Sequence, residues 1–226
     1  MRDDEKVEVK DFGEKDFDSY QEYFKHCQAT KLIVEATPEY LYSRSAIQAF
    51  KKIDQPIKFL FIYRDPAERM FSDYQFHRHK TKRFKGSFES YVDYQNGRFK
   101  GKKVKMGYYQ TYLSKWIDAF GKDRILEMDF NDLKKDSSSF MRKLASNIGI
   151  DPEGFNQIDF HQKNKTVKIK NRKLHVWLIN LSSKIPQSLV DLLSPVYYQL
   201  NSGAVPRKTK RDEEIIDALR KHYQEV

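Results

Sequence analysis

The chain has 226 residues, a formal net charge of +10 and a single cysteine, Cys27, which excludes an intramolecular disulfide and a cysteine-rich zinc site. Its length supports one α/β domain over 1–226 and does not demand two. No run approaches the ~18 apolar residues of a membrane span, and the opening MRDDEKVEVKD has no signal-type apolar stretch, so a cytoplasmic protein is expected, with a lumenal domain left open.

In residues 7–24 acidic and aromatic positions alternate, and Phe17, Tyr20, Tyr23 and Phe24 fall at helical spacing, which predicts a short amphipathic helix. KLIVE, 31–35, reads as a buried strand. Thr37 as N-cap, Pro38 at the first helical position and Glu39 in the first turn then predict a helix through Phe50.

Residues 58–74, KFLFIYRDPAERMFSDY, repeat that plan more sharply. The unbroken apolar run 59–63 suits a strand buried on both faces of a parallel sheet. Asp65, Pro66 and Glu68 spell a helix start: a capping carboxylate, a proline where no amide is lost, and a glutamate placed to bond back. In open α/β sheets such corners bind anions, since free amides and the positive helix end point outward. Arg64 stands at this corner. The plainer alternative is that Arg64 and Asp65 solvate a strand end and Arg69 pairs with a surface carboxylate.

From His77 to Lys105 ten basic residues meet only Glu89 and Asp93, a field that attracts polyanions without choosing among nucleic acid, anionic glycan and acidic membrane. Tyr109, Tyr112, Leu113, Trp116 and Phe120 trace one face of a helix ended by Gly121 and are read as core. A strand is predicted at 125–130, then a helix from about Ser138 with Phe140, Leu144 and Ile148 on one face, ended by Gly149. Beyond Phe155 come a basic loop, a mostly helical pattern, a surface turn at 203–210 and a last helical stretch at 213–226.

The string RDPAERMFSDY resembles the 3'-phosphate-binding segment of sulfotransferases that use 3'-phosphoadenosine 5'-phosphosulfate (PAPS), most closely the heparan sulfate type and its bacterial relatives. The resemblance implies a P-loop-NTPase-like α/β fold, a three-layer arrangement with a central parallel sheet flanked by helices. It implies PAPS as donor, no metal, and a glycan hydroxyl or amine as acceptor. Arg64 and Ser72 would hold the 3'-phosphate, while Arg69 and Tyr74 match structural positions. Ser72 lies seven residues past the cap, roughly 10 Å along the axis, so a phosphate touching both must lie along the helix flank. EATPEYLY resembles the family's TP-x-Y segment near the acceptor, which brings in Glu35 and Thr37, with His77 and His79 as further substrate-side candidates. HQKNKT resembles a loop that closes over the nucleotide and would contribute Lys163 and Lys165. VEVKDF places Glu8 at the position of the catalytic base.

The family's first strand and phosphate loop, of lysine, serine, glycine and threonine type, has no counterpart among the nine glycines of this sequence. The resemblance therefore covers roughly 5–220 and omits a βα unit of about thirty residues, so a shortened chain is expected. Two other readings stay open. One is a non-catalytic protein that binds nucleotide or glycan. The other is a nucleic-acid-binding domain without sequence specificity, in which Phe84, Phe88, Tyr91, Tyr94 and Phe99 interleave with the basic residues as stacking surfaces.

Overall fold

A computed structural model describes residues 22, 24, 32–54, 56–156, 158–160, 166–182 and 184–225. In chain order its elements are α1 (Arg44–Phe50), β1 (Phe59–Tyr63), α2 (Pro66–Gln75), α3 (Phe88–Tyr91), β2 (Tyr94–Gln95), β3 (Arg98–Phe99), α4 (Tyr109–Phe120) and β4 (Ile125–Asp129). Then follow α5 (Phe130–Lys135), α6 (Ser137–Ile148), β5 (Lys168–Ile169), α7 (Arg172–Ser182), α8 (Gln187–Asn201), β6 (Ser202–Gly203) and α9 (Lys210–Gln224). The fold is α/β, with a parallel pair of strands flanked by helices. The chain divides into two compact units, Met1–Tyr63 with Tyr108–Ile158, and Arg64–Gly107 with Asp159–Val226.

In the first unit β1 and β4 pair in parallel, from Phe59 opposite Ile125 to Tyr63 opposite Asp129. Alternation along β1 turns Phe59, Phe61 and Tyr63 to one face, where Phe59 and Phe61 meet the fully buried Trp116 of α4 at ring distances of 4.9 and 5.3 Å. The Trp116 indole donates to the Leu41 carbonyl at 3.1 Å, so this large ring is buried without stranding its polar atom. Leu113, Phe50 and Phe120 complete the cluster; of the helical face read from sequence, Leu113, Trp116 and Phe120 belong to this core, while Tyr109 and Tyr112 are half-buried outside it. Burial of β1 on both faces is corrected: Ile62, on the other face, is 44% exposed.

Two further expectations in this unit are corrected. Residues 32–36 join no ladder among the described residues, and Leu32, Ile33 and Val34 are exposed. The helix expected over 37–50 is broken in two. Thr37 spends its hydroxyl on the Glu35 carboxylate (2.5 Å) instead of capping, a short 3-10 turn covers Tyr40–Tyr42, and Ser43 caps α1 by accepting from the Ala46 amide. The helix predicted at 7–24 lies outside the described residues except for positions 22 and 24.

In the second unit the buried face of α2, Ala67, Met70, Phe71 and Tyr74, packs on Ile215, Ile216 and Leu219 of α9 and on Phe88, Val92 and Val104. The start of α2 is as predicted in part. The Asp65 carboxylate accepts from the Glu68 amide at 2.8 Å and Pro66 opens the helix. The Glu68 side chain, however, does not return to the cap; it accepts from Lys208 and Arg220 instead. After Gln75 the helix widens into a π-helical turn, Phe76–Lys80, and the following loop is tied down by Arg78 donating to the carbonyls of Lys85 and Gly86. Asn96 and Gly97, with φ of 50° and 75°, form the tight turn of the β2–β3 hairpin. Part of the expected surface turn after 202 is instead a strand, β6 pairing antiparallel with β5.

α9 opens with a reciprocal box between Thr209 and Asp212, and near its end the Tyr223 hydroxyl donates to the Val104 carbonyl at 2.8 Å. Gly107 is required here for space, since a β-carbon on it would lie 2.2 Å from the Tyr223 ring. Gly107→Ala is therefore expected to lower stability by about 1–3 kcal/mol through overpacking, read by denaturant melts.

Burial pushes the Asp65 carboxyl up, but the Glu68 amide and the Arg220 guanidinium outweigh it and hold it below the ordinary carboxylate value. A lowered folded value means that this stabilisation is complete above the unfolded value of about 3.9 and is lost as pH falls through the folded one. Asp65→Ala should cost about 1–2 kcal/mol at pH 7, and Asp65→Asn less, because it still caps. The gap between wild type and Asp65→Asn should close in acid, which melting curves across pH would read.

Candidate functional site

The cap at Asp65 fixes where α2 begins and hence which residues share its faces. Arg64, Glu68, Phe71, Ser72 and Gln75, spaced by three and four, line one wall of a cleft of about 270 Å³. The opposite wall is Thr166, Val205, Pro206 and Lys208. The structure thus brings Arg64 and Ser72 together along the helix flank, where the rise between them required a shared ligand to lie.

Arg64 is anchored by donating from Nη2 to the Glu68 carbonyl at 2.9 Å. The Glu68 carboxylate is taken up by Lys208 (2.7 and 2.8 Å) and by Arg220 (3.0 Å), and Asp65 by Arg220 (2.7 Å). Arg220 is itself met by a third carboxylate, Asp217 (2.8 Å), so the excess charge rests on the lining: Arg64 and Lys208 stand there against Glu68, and the balance at the cleft favours an anion. Gln75 is about nine-tenths buried, yet its Oε1 has no hydrogen-bond partner among the described residues. A buried amide left unmatched is uncommon, and it fits a polar group entering beside it. An anionic sugar phosphate, with oxygens for Arg64 and Ser72 and hydroxyls nearby, suits this lining.

The remaining sequence-derived candidates are placed differently. His77 and His79 sit on the π-helical turn and are not among the residues lining the cleft. His77 Nε2 lies 3.3 Å from Asp73, whose other oxygen accepts from Tyr91 (2.5 Å) and Lys103 (3.3 Å). Burial lowers the affinity of His77 for a proton despite Asp73, and for His79 burial is reinforced by Arg78, Lys168 and Lys82. Both imidazoles are therefore neutral at pH 7 and add no charge to the basic segment. Glu35 and Thr37, in the other unit, are exposed and bonded to each other. Glu8, Lys163 and Lys165 lie outside the described residues.

Tyr74 is core, as its structural assignment expected. Arg69 keeps Nε and Nη2 buried without a hydrogen-bond partner among the described residues, so it makes no surface ion pair there of the kind the plainer reading supposed. Sequence reasoning missed Gln75 and Lys208. Gln75, three residues past Ser72 on the same helix face, was within reach of a periodicity argument. Lys208 is 140 residues from Glu68 and had no local signal. The aromatic residues interleaved with the basic segment are also reassigned. Phe88 is fully buried, and Phe84, Tyr91, Tyr94 and Phe99 pack against the same core, so they are not an open stacking surface. Among the described residues no cluster of His, Cys, Asp or Glu could hold a metal ion.

Comparison with known proteins bears on the fold and the family. The crystal structure of a sulfotransferase from Alicyclobacillus acidocaldarius is similar over 78% of this chain and 70% of its own, with a TM-score of 0.53 and 17% identity, which shows a shared fold. The family model described as the sulfotransferase domain matches residues 4–184, most of the chain and all of the α2 wall of the cleft. By that match the chain belongs to the sulfotransferase domain family, whose chemistry is sulfuryl transfer.

Proposed function

We propose that the chain transfers a sulfuryl group from PAPS to a hydroxyl or amine of a glycan. The observation that carries this reading is the placing of Arg64 and Ser72 on one cationic cleft along α2. There the Arg64 guanidinium would pair with the nucleotide's 3'-phosphate and the Ser72 hydroxyl would donate to it, giving affinity and register. The bound donor supplies the sulfuryl group. In the transfer itself the acceptor oxygen or nitrogen forms a bond to sulfur as the bond from sulfur to the 5'-phosphate oxygen breaks, releasing adenosine 3',5'-bisphosphate. Glu8 is the residue proposed to take the acceptor's proton, by its position in the sequence.

A polyanionic glycan acceptor is supported by charge. Arg83, Lys85, Arg98, Lys100, Lys102 and Lys105 are solvent-exposed along the basic segment. Nucleic acid is the weaker alternative, because the aromatic side chains it would stack on are packed inward.

Titration calorimetry of adenosine 3',5'-bisphosphate into the 226-residue chain tests the reading. Arg64→Ala should weaken binding about 10- to 100-fold and Ser72→Ala about 2- to 10-fold, the range for losing a charge-assisted and a neutral hydrogen bond. Adenosine 5'-phosphate should bind the wild type weakly and be indifferent to both substitutions. A folded wild type that shows no preference for the 3'-phosphate would overturn the assignment.

A further inference from the structure

α8 has two unlike faces. On the inner one, Asn201 is buried and closes the base of the α7–α8 pair, accepting from the Asn171 amide at 2.8 Å and donating to the Tyr197 hydroxyl at 2.7 Å. Tyr197 in turn bonds the buried His175 of α7 at 2.6 Å. The outer face carries Leu189, Leu192, Leu193, Val196 and Leu200, a continuous helical stripe. These five are 47–72% exposed. α7, which packs on α8, carries Trp177, itself 60% exposed, in a shallow groove with Arg172 and Lys173. Soluble surfaces carry scattered apolar residues, but a contiguous stripe of this kind marks an interaction surface.

Charge selects the occupant. From 166 to 201 the ionised residues are Lys168, Lys170, Arg172, Lys173 and Lys184 against Asp191 alone. Lys170 reaches the end of the stripe, donating to the Leu200 carbonyl at 3.2 Å, and Lys184 follows α7 at its far end. A second copy docked face to face would set this basic rim against itself, since a two-fold contact pairs a patch with its own image. An anionic lipid surface satisfies both halves: leucines and tryptophan enter the boundary between headgroups and acyl chains, and the basic residues meet the headgroups. No helix among the described residues is long and apolar enough to cross a membrane, so the contact is one of lying on the surface.

We infer that the α7–α8 face docks this protein onto anionic lipid bilayers. The inference does not rest on the nucleotide reading, and its failure would leave that reading untouched.

The test uses the full chain with vesicles of phosphatidylcholine alone and with about 30% phosphatidylglycerol, read by co-sedimentation and tryptophan emission. Of the two tryptophans Trp116 is fully buried, so a blue shift on binding reports Trp177. Binding to the anionic vesicles with that shift is expected. Arg172→Ala and Lys173→Ala should each weaken it about fivefold. Leu192→Glu should weaken it about tenfold or more, with the melting midpoint unchanged because this side chain is already in water. Failure of the folded wild type to bind anionic vesicles overturns the proposal, as does equal binding to both vesicle types. A concentration-dependent dimer that Leu192→Glu dissolves, without vesicle binding, overturns it in favour of a second copy.

Discussion

A single guanidinium, that of Arg220, reaches both carboxylates at the start of α2, Asp65 at 2.7 Å and Glu68 at 3.0 Å. Two demands meet at this place. A helix N-terminus is well served by acidic residues, which cap its free amides and complement its dipole. An anion-binding cleft beside the same turn is harmed by them. Arg220 and Lys208 resolve the conflict by pairing with the acids, so that Asp65 can cap while Arg64 lines the cleft beside it. Individually such partly exposed pairs are weak. Their value here is positional, since they bring α9 and the segment before it against α2 and thereby form both walls of the cleft.

Where the sequence spoke through local chemistry it could be read. The cap before α2 and the proline that opens it, the apolar run of β1, the aromatic face of α4 and the glycine after α6, with φ of 78°, are each decided within a few residues. Misreadings arose where two local options compete. Thr37 and Ser43 are both fit to cap, and the hydroxyl of Thr37 is drawn to Glu35, leaving the helix to begin at the second site. The turn at Asn96 and Gly97 follows from its dipeptide, a short signal set within a long charged segment. Arg64 and Ser72 came from resemblance, whereas Lys208 and Arg220 stand 140 and 152 residues from Glu68 and no local pattern could tie them to it.

The net charge of +10 is not a uniform field. Part of it is structural: Arg78 holds a loop by its carbonyls, Lys103 lies 4.2 Å over the Tyr91 ring and bonds Asp73, and Arg211 pairs with Glu89. The excess of basic over acidic residues is largest in two stretches, the segment between His77 and Lys105 and the neighbourhood of α7 and α8. The first is polar throughout, because its aromatics are turned into the core; the second is basic and greasy together. The same sign of charge therefore suits different polyanions, a hydrated chain in one case and an interface with hydrocarbon behind it in the other.

The core of the second unit also imposes an order on synthesis. Met70, Phe71, Tyr74 and Phe88 bury themselves against Ile215, Ile216 and Leu219, which the ribosome adds well over a hundred residues later. The parallel strand pair of the other unit is complete once Asp129 has been made. During translation the nascent chain can close the β1–β4 ladder while the oily side of α2 still waits in water for α9. That interval is when the protein is most open to aggregation and to chaperone capture. Premature stops before α9 should accordingly be met in cells as insoluble or degraded fragments.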